Sequence, residues 1–401
     1  MEQQKGSRLT AIVALMAVFS LAICFIILGA ISEEIKAAIG IDNAQLGSLV
    51  LTLFLTSMIV QLVIGPLVDK LGHKPVAIVG FLVLSVSMFL LAMATSFGAA
   101  ALACVLLGVG AMCLNTVGNT LIPVVLFEGK DPARASNFGN GFFGLGYVLT
   151  PLLFSLFGRL AIGYKSGVSI LGVLMLVFLI ISLLPRYPQV SIGFEFSKAV
   201  RLLGNGSVLI AALALFCYIA LETSMGTWIK PYMTNVFTGS GASAGAVSNA
   251  GLVLSLFGVA IMVGRFLTSA VKNLTAIGPK VILGASLVSV LALILMILTP
   301  SPLIGIIAVL VTGLAFAPIF PTVVGVTFAK FEPSLYGSIF GIIFAVGLLG
   351  GTLVPKIIGN LSAAGGTADE FAVASLWIAV GMAGILFLIS LGIGRARRGA
   401  A

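Results

Sequence analysis

Long apolar runs alternate with short polar interruptions from one end of the chain to the other. A helix needs roughly 20 apolar residues to cross the hydrocarbon core of a bilayer. The runs that reach this length are Leu9–Ile31, Ala44–Val68, Pro75–Ala94, Phe97–Phe127, Ala135–Phe157 and Gly167–Leu184. A more polar stretch follows, Arg186–Gly206, carrying Glu195, Lys198 and Arg201. Six more runs come after it: Ser207–Ile229, Val247–Val271, Pro279–Leu298, Leu303–Ala329, Leu335–Ile358 and Phe371–Ile393. The pattern predicts an all-α membrane protein of twelve transmembrane helices: six spans, a linker and six spans.

The two halves repeat. Leu49-Val-Leu-Thr-Leu-Phe54 in the second span recurs as Leu252-Val-Leu-Ser-Leu-Phe257 in the eighth, 203 residues on. The fourth and tenth spans are alike around Gly108 and Gly313, and they end in Phe127-Glu128 and Phe331-Glu332. A hexamer can recur by chance in so apolar a chain, but its placement at equivalent spans favours duplication. The expected organisation is a six-helix bundle over 1–186, a cytoplasmic linker over 187–206 and a second, pseudo-symmetric bundle over 207–401. Parallel repeats of this kind place a substrate site between the halves, near the bilayer midplane.

Composition sharpens the class. Hydrophobic residues make up 60% of the 401, and charged residues only 8%. A soluble domain carries about 25% charged residues because its surface must meet water, so the outer surface here meets lipid. The net charge of +9 does not point to nucleic acid, because the basic residues come singly or in pairs between spans. Such loops follow the positive-inside rule. With the N-terminus inside, 16 Lys and Arg fall on the cytoplasmic side against 5 outside, accounting for all 21; Arg265 is among the 16. Both termini are therefore expected in the cytoplasm of a multi-pass protein of the bacterial inner membrane. Leu9–Ile31 is too long for a signal-peptide core and lacks a cleavage site. The four cysteines, Cys24, Cys104, Cys113 and Cys217, lie in spans without metal or disulfide spacing. They read as small packing residues, and no metal or other cofactor is expected.

Gly65-Pro-Leu-Val-Asp69-Lys70-Leu-Gly72-His73-Lys74 joins the second and third spans. Its glycines permit a tight turn. Asp69 is suited to face the positive end of a neighbouring helix, or a basic side chain, in one conformation and to leave it in another. The segment resembles the loop signature of the major facilitator superfamily, Gly-x-x-x-Asp-Arg/Lys-x-Gly-x-Arg/Lys. The resemblance implies the two-bundle fold of that superfamily and a conformational switch at Gly65, Asp69, Lys70, Gly72 and Lys74. The corresponding turn of the second half, near Gly264-Arg265 and Lys272, is degenerate, and His73 reads as a solvated turn residue.

Of the 12 acidic residues, eleven fall in loops, tails or span ends; Glu222 alone sits within a span. A charge at the bilayer centre costs about 2.5–3.5 kcal/mol on an insertion scale, so such residues face a cavity and mark a pathway. Tyr218 and Gly226 lie one turn before and after it on the same face. Asn115 and Asn119 are spaced to share one face of the fourth span, and their amides suit hydroxyl-rich solutes. Interhelical hydrogen bonding is the other use of such amides. Gln61, Asn140, Phe143 and Trp228 complete the candidate lining. The aromatics would stack on a sugar face or serve as packing and interface anchors.

Phe216-Cys-Tyr218-Ile-Ala-Leu-Glu222-Thr-Ser-Met-Gly226 resembles the seventh-span motif of the fucose–galactose–glucose:proton symporters, and Cys113-Leu-Asn115-Thr-Val-Gly-Asn119 resembles their fourth-span run. Asn137-Phe-Gly139 fits their fifth-span pattern more loosely. The resemblance implies a sugar symporter in which Asn119, Tyr218 and Glu222 line the cavity. The chain departs from that family at two acidic positions: Asn115 stands in the fourth span and Gly29 in the first, with Glu33 and Glu34 nearer the outer mouth. Coupling by the usual carboxylates is thus missing. It passes to Glu222 with H+ or Na+, or it is absent.

The expected function is alternating-access transport of a small, sugar-like polar solute, by a chain that forms a complete pathway as a monomer. The glycine-rich fifth and eleventh spans suit close helix approach in either rocking or static bundles. Drug or metabolite export is the alternative. Exporters of this superfamily often carry a fourth-span Arg and a Gly-Pro-x-x-Gly-Gly element in the fifth. Here Phe97–Phe127 holds no charge and Pro151 is followed by Leu-Leu-Phe. A membrane enzyme would need clustered His, Asp, Glu or Cys within the membrane, which one carboxylate does not supply.

Overall fold

The computed structural model describes residues 8–188, 200–241, 246–299, 301–363 and 368–393. Much of the expected linker, residues 189–199, lies outside them, as do the side chains of Glu33 and Trp228. Among the described residues there is no strand. The helices are α1 (Arg8–Ala30), α2 (Ser32–Ile39), α3 (Asn43–Leu71), α4 (His73–Met93), α5 (Phe97–Val125), α6 (Pro132–Arg159), α7 (Tyr164–Leu183), α8 (Gly206–Gly239), α9 (Ala246–Ser269), α10 (Leu274–Leu298), α11 (Pro302–Phe316), α12 (Ile319–Phe328), α13 (Tyr336–Ala363) and α14 (Ala368–Ile393). Among the described residues, twelve spans are long and apolar enough to cross a membrane, with α11 and α12 sharing one.

Several helices begin before the apolar run does, because hydropathy marks entry into lipid whereas capping chemistry marks the first turn. Asp42 caps α3: its Oδ1 accepts from the Gln45 amide at 2.8 Å, and the Gln45 side chain accepts from the Asp42 amide at 3.2 Å. This reciprocal box satisfies two otherwise orphaned donors. Pro132 opens α6, a position where its missing N–H costs nothing. The α8 helix continues to Gly239, past Lys230 and Pro231.

Contacts divide the chain into two compact units. The first holds α1 to α5, α6 from Phe142 onward, α7 and the segment Glu332–Ile342; the second holds Asp131–Gly141, α8 to α12, and α13 and α14 from Ile343 onward. The same pairing scheme recurs within each. In the first unit α4 packs on α5 and α7, while α3 and α1 pack on α5. In the second unit α10 packs on α11, α12 and α14, while α9 and α8 pack on the α11–α12 span. The repeated glycines mark the same close approach in both. A Cβ on Gly108 would lie 2.9 Å from the Leu53 carbonyl oxygen, and one on Gly313 would lie 3.0 Å from that of Phe257. Only a residue without a side chain lets those backbones approach.

Candidate functional site

The second unit contains an intramembrane ion pair. Tyr218 and Glu222 stand one turn apart on α8, which starts from an Asn205 cap whose Oδ1 accepts from the Ser207 amide at 2.9 Å. Arg265 sits one turn before the end of α9. Its Nη2 lies 3.3 Å from Glu222 Oε1 and donates to the Tyr218 hydroxyl at 3.1 Å; its Nη1 donates to the Asn140 carbonyl on α6 at 3.3 Å. Side chains on a helix lean toward its N-terminus, which carries this guanidinium back along the span toward Glu222. The Arg265 side chain is 3% exposed and that of Glu222 28% exposed. The pair is therefore buried on the cationic side and open on the anionic one. Tyr218 is fully buried, its ring 6.1 Å from both Phe316 and Phe320. A Cβ on Gly226, one turn further along, would meet nothing within 4 Å, so open space adjoins this face beyond the carboxylate.

Arg265 corrects the sequence reading, which counted it among cytoplasmic charges. It is a span residue neutralising Glu222, and the basic tally becomes 15 against 5 without changing sign. Asn140 is 4% exposed. Its side-chain amide bonds the Ser136 carbonyl at 3.0 Å, and its main-chain carbonyl reaches Arg265.

Gln61, Asn115 and Asn119 come together in the first unit. All three are buried. Asn115 Nδ2 donates to Gln61 Oε1 at 3.3 Å, Gln61 Nε2 donates to Thr116 Oγ1 at 3.0 Å, and Asn119 Nδ2 donates to Asn115 Oδ1 at 2.8 Å. Their amides tie α3 to α5, the interhelical use of such groups. The seam runs on to His73, whose Nε2 is 3.0 Å from Thr120 Oγ1. That hydroxyl gives its one proton to the Thr116 carbonyl at 2.6 Å. It can only accept from the ring, which places a proton on Nε2. His73 is therefore a half-buried, bonded helix residue and not the solvated turn residue expected.

The loop after α3 is organised by Asp69, which is 7% exposed. Its Oδ1 accepts from the Gly337 amide at 2.8 Å, and its Oδ2 accepts from the Ser338 amide at 2.6 Å and the Ser338 hydroxyl at 2.5 Å. These are donors at the start of α13 that lack intrahelical partners, and the positive end of the helix favours the carboxylate. A side chain on Gly65 would run into the Gly337 carbonyl oxygen. Gly72 adopts φ +86° between α3 and α4. Lys74 donates to the Leu183 carbonyl at 2.8 Å, and Lys70 is exposed.

Phe143 belongs to an aromatic group in the first unit, 6.4 Å from Phe25 and stacked on Tyr147 at 6.2 Å. Trp228 cannot be placed in either site, its side chain being outside the described residues. All four cysteines are buried and free. Among the described residues no group of three or more His, Cys, Asp and Glu is arranged to hold a metal ion.

A family model described as Major Facilitator Superfamily matches residues 13–355. The chain belongs to that superfamily. It is a multi-pass membrane transporter, not an enzyme. It is similar to an uncharacterised MFS-type transporter of Yersinia pestis, 25% identical over 71% of this chain and 72% of that one. It is also similar to the quinolone resistance protein NorA of Staphylococcus aureus, 28% identical over 35% of this chain and 37% of NorA. Among solved structures, the superfamily transporter FucP in its outward conformation aligns at TM-score 0.75 and 16% identity, covering 95% of this chain and 97% of FucP. The proton:xylose symporter XylE aligns at TM-score 0.74 and 14% identity, covering 96% and 95%. At such identities the structural likenesses establish the fold.

Proposed function

We propose that this transporter carries a small polar solute of the sugar or polyol class by alternating access, coupled to protons through Glu222. It would work as a monomer in the bacterial inner membrane with both termini in the cytoplasm. The observation that carries the reading is the Arg265–Glu222 pair, with its guanidinium buried and its carboxylate partly open. While Glu222 is ionised it occupies Arg265. A proton on Glu222 removes the charge that holds the guanidinium, so Arg265 and Tyr218 become donors for hydroxyl oxygens of a neutral solute. Proton and solute then favour one another at one site, which is the linkage symport requires. The fold likeness to a fucose:proton symporter and a proton:xylose symporter supports this choice of solute and ion. In this reading Asn115, Asn119 and Gln61 hold the first unit together and shape the cavity without touching solute.

The test uses purified protein in liposomes and a panel of labelled hexoses, pentoses and polyols. Uptake is measured under an imposed proton gradient and, separately, a sodium gradient. Proton-driven accumulation should be lost in Glu222→Gln while exchange without a gradient persists. Accumulation driven by sodium alone would replace the coupling ion. The likeness to NorA, a quinolone resistance protein, favours a second reading, drug or metabolite export by antiport. Extrusion of cationic dyes with no counterflow of any sugar would establish it in place of the first.

A further inference from the structure

The Phe-Glu pair that ends the fourth and the tenth spans takes two different backbones. In the first half Phe127 (φ 49°, ψ 35°) and Glu128 (φ 58°, ψ 23°) are both left-handed, and Gly129 follows at φ +70°. In the second half Glu332 is extended, at φ −76° and ψ 146°, and Phe331 is not left-handed. Among the described residues four non-glycines have positive φ, and only here are two of them neighbours. The Lys130 amide closes the first turn on the Phe127 carbonyl at 3.1 Å. Glu128 and Gly129 thus take the central places of a type I′ turn, which favours Asn-Gly or Gly-Gly rather than Glu-Gly. A left-handed residue other than glycine is disfavoured by roughly fivefold to thirtyfold in population, and a bulky one such as Phe is an outlier.

The same dipeptide is relaxed in the second half, so its own preference does not produce the left-handed form. Nor does the Glu128–Lys130 ion pair, which is 2.5 Å long with side chains 58% and 77% exposed; pairs this exposed hold little. Its place in the chain is different in kind. The first compact unit runs to Lys130 and the second takes up at Asp131; in the second half the chain passes back at Glu332. Each Phe-Glu pair therefore stands where the main chain leaves one unit for the other. Motion between packed units is absorbed by a few backbone torsions at such crossings. Backbone strain persists only where the surrounding structure over-determines it. The two crossings hold the same two residues, one pair strained and the other relaxed.

We infer that residues 127–129 form a strained hinge. Their left-handed turn is held in the state seen here and relaxes toward the extended form of Glu332 when the units move, so the strain biases the cycle toward leaving this state. The hinge presupposes the alternating access proposed above but neither the solute nor the ion. The test is the distance between spin labels at Ser166→Cys and Thr238→Cys, exposed positions in the first and second unit, in the full-length protein in lipid nanodiscs. The four native cysteines are buried. Wild type should show two distances. Glu128→Asn supplies the residue the turn favours and should shift their ratio about fivefold. Gly129→Ala, whose Cβ would stand on a left-handed backbone 3.3 Å from the Val124 carbonyl oxygen, should shift it the opposite way. Glu128→Gln removes the ion pair alone and should leave the ratio unchanged. Two distances whose ratio the first two variants do not move, or move in the same direction, would make the turn a static feature and overturn the hinge while alternating access stands. An equal shift in Glu128→Gln would assign the effect to the ion pair and overturn it too. A single distance in wild type and every variant would remove alternating access itself, and the hinge with it. Should Gly129→Ala not fold, Glu128→Asn against Glu128→Gln decides alone.

Discussion

Glu222→Gln keeps the shape of the side chain and removes its charge, leaving Arg265 buried at 3% exposure without its anion. Guanidinium cannot shed its proton in a protein, so it must stay charged. Removing one partner of a buried pair costs about 3–5 kcal/mol. Three features place this pair at or just below the lower end of that range. Its 3.3 Å separation exceeds that of a tight charge-assisted contact, Glu222 is 28% exposed, and Tyr218 and the Asn140 carbonyl remain within reach of the guanidinium. The expected loss is about 2–3 kcal/mol. Arg265→Met should cost less, because a partly exposed carboxylate left alone can take up a proton and become neutral. The double variant should recover most of the stability, since a neutral pair of similar volume is often no worse than a buried ion pair. Thermal unfolding in nanodiscs at one scan rate provides the ranking, with wild type and the double variant highest, Arg265→Met between and Glu222→Gln lowest. If the two single effects simply add in the double variant, the groups are not coupled and the ion pair is not what holds Arg265 in the span.

Gln61→Leu should destabilise by about 1–3 kcal/mol by stranding the Asn115 amide in a dry seam, and Asn115→Leu added to it should cost less than the two losses combined, read by the same unfolding assay. Gly108→Val should drive α5 off the Leu53 carbonyl, which a Cβ would approach to 2.9 Å, lowering stability by about 1–3 kcal/mol and with it the yield of monodisperse protein; Gly98→Val, where a Cβ meets nothing within 4 Å, should leave both unchanged.

The spans were legible because a bilayer imposes one crude requirement, about 20 apolar residues in succession, and the described residues meet it twelve times. Helix starts were less so, since Asp42 and Pro132 act through caps that hydropathy does not register. The amides at 61, 115 and 119 could be named as polar groups in an apolar setting, and the helical period put Asn115 and Asn119 on one face. Whether that face turns to a cavity or to α3 depends on the rotation of α5. A helix apolar all round gives no clue to its rotation.

Arg265 was hidden by a rule that explained it too readily. Basic residues gather at the cytoplasmic ends of spans, so a count of loop charges absorbed it without remainder. Yet an ionised Glu222 in a span is an incomplete arrangement, since a charge in low dielectric demands a counter-charge or a proton. Of the basic residues that fall within the apolar runs, Lys280 and Lys356 stand within three positions of an end, whereas Arg265 lies six positions inside Val271. An arginine at that depth, on a helix whose side chains lean inward from that end, is the residue able to reach a mid-span carboxylate. The sequence therefore held the pair in two separate statements, an acid too deep for its surroundings and a base deeper than orientation alone requires. Charge neutrality in the membrane is the principle that joins them.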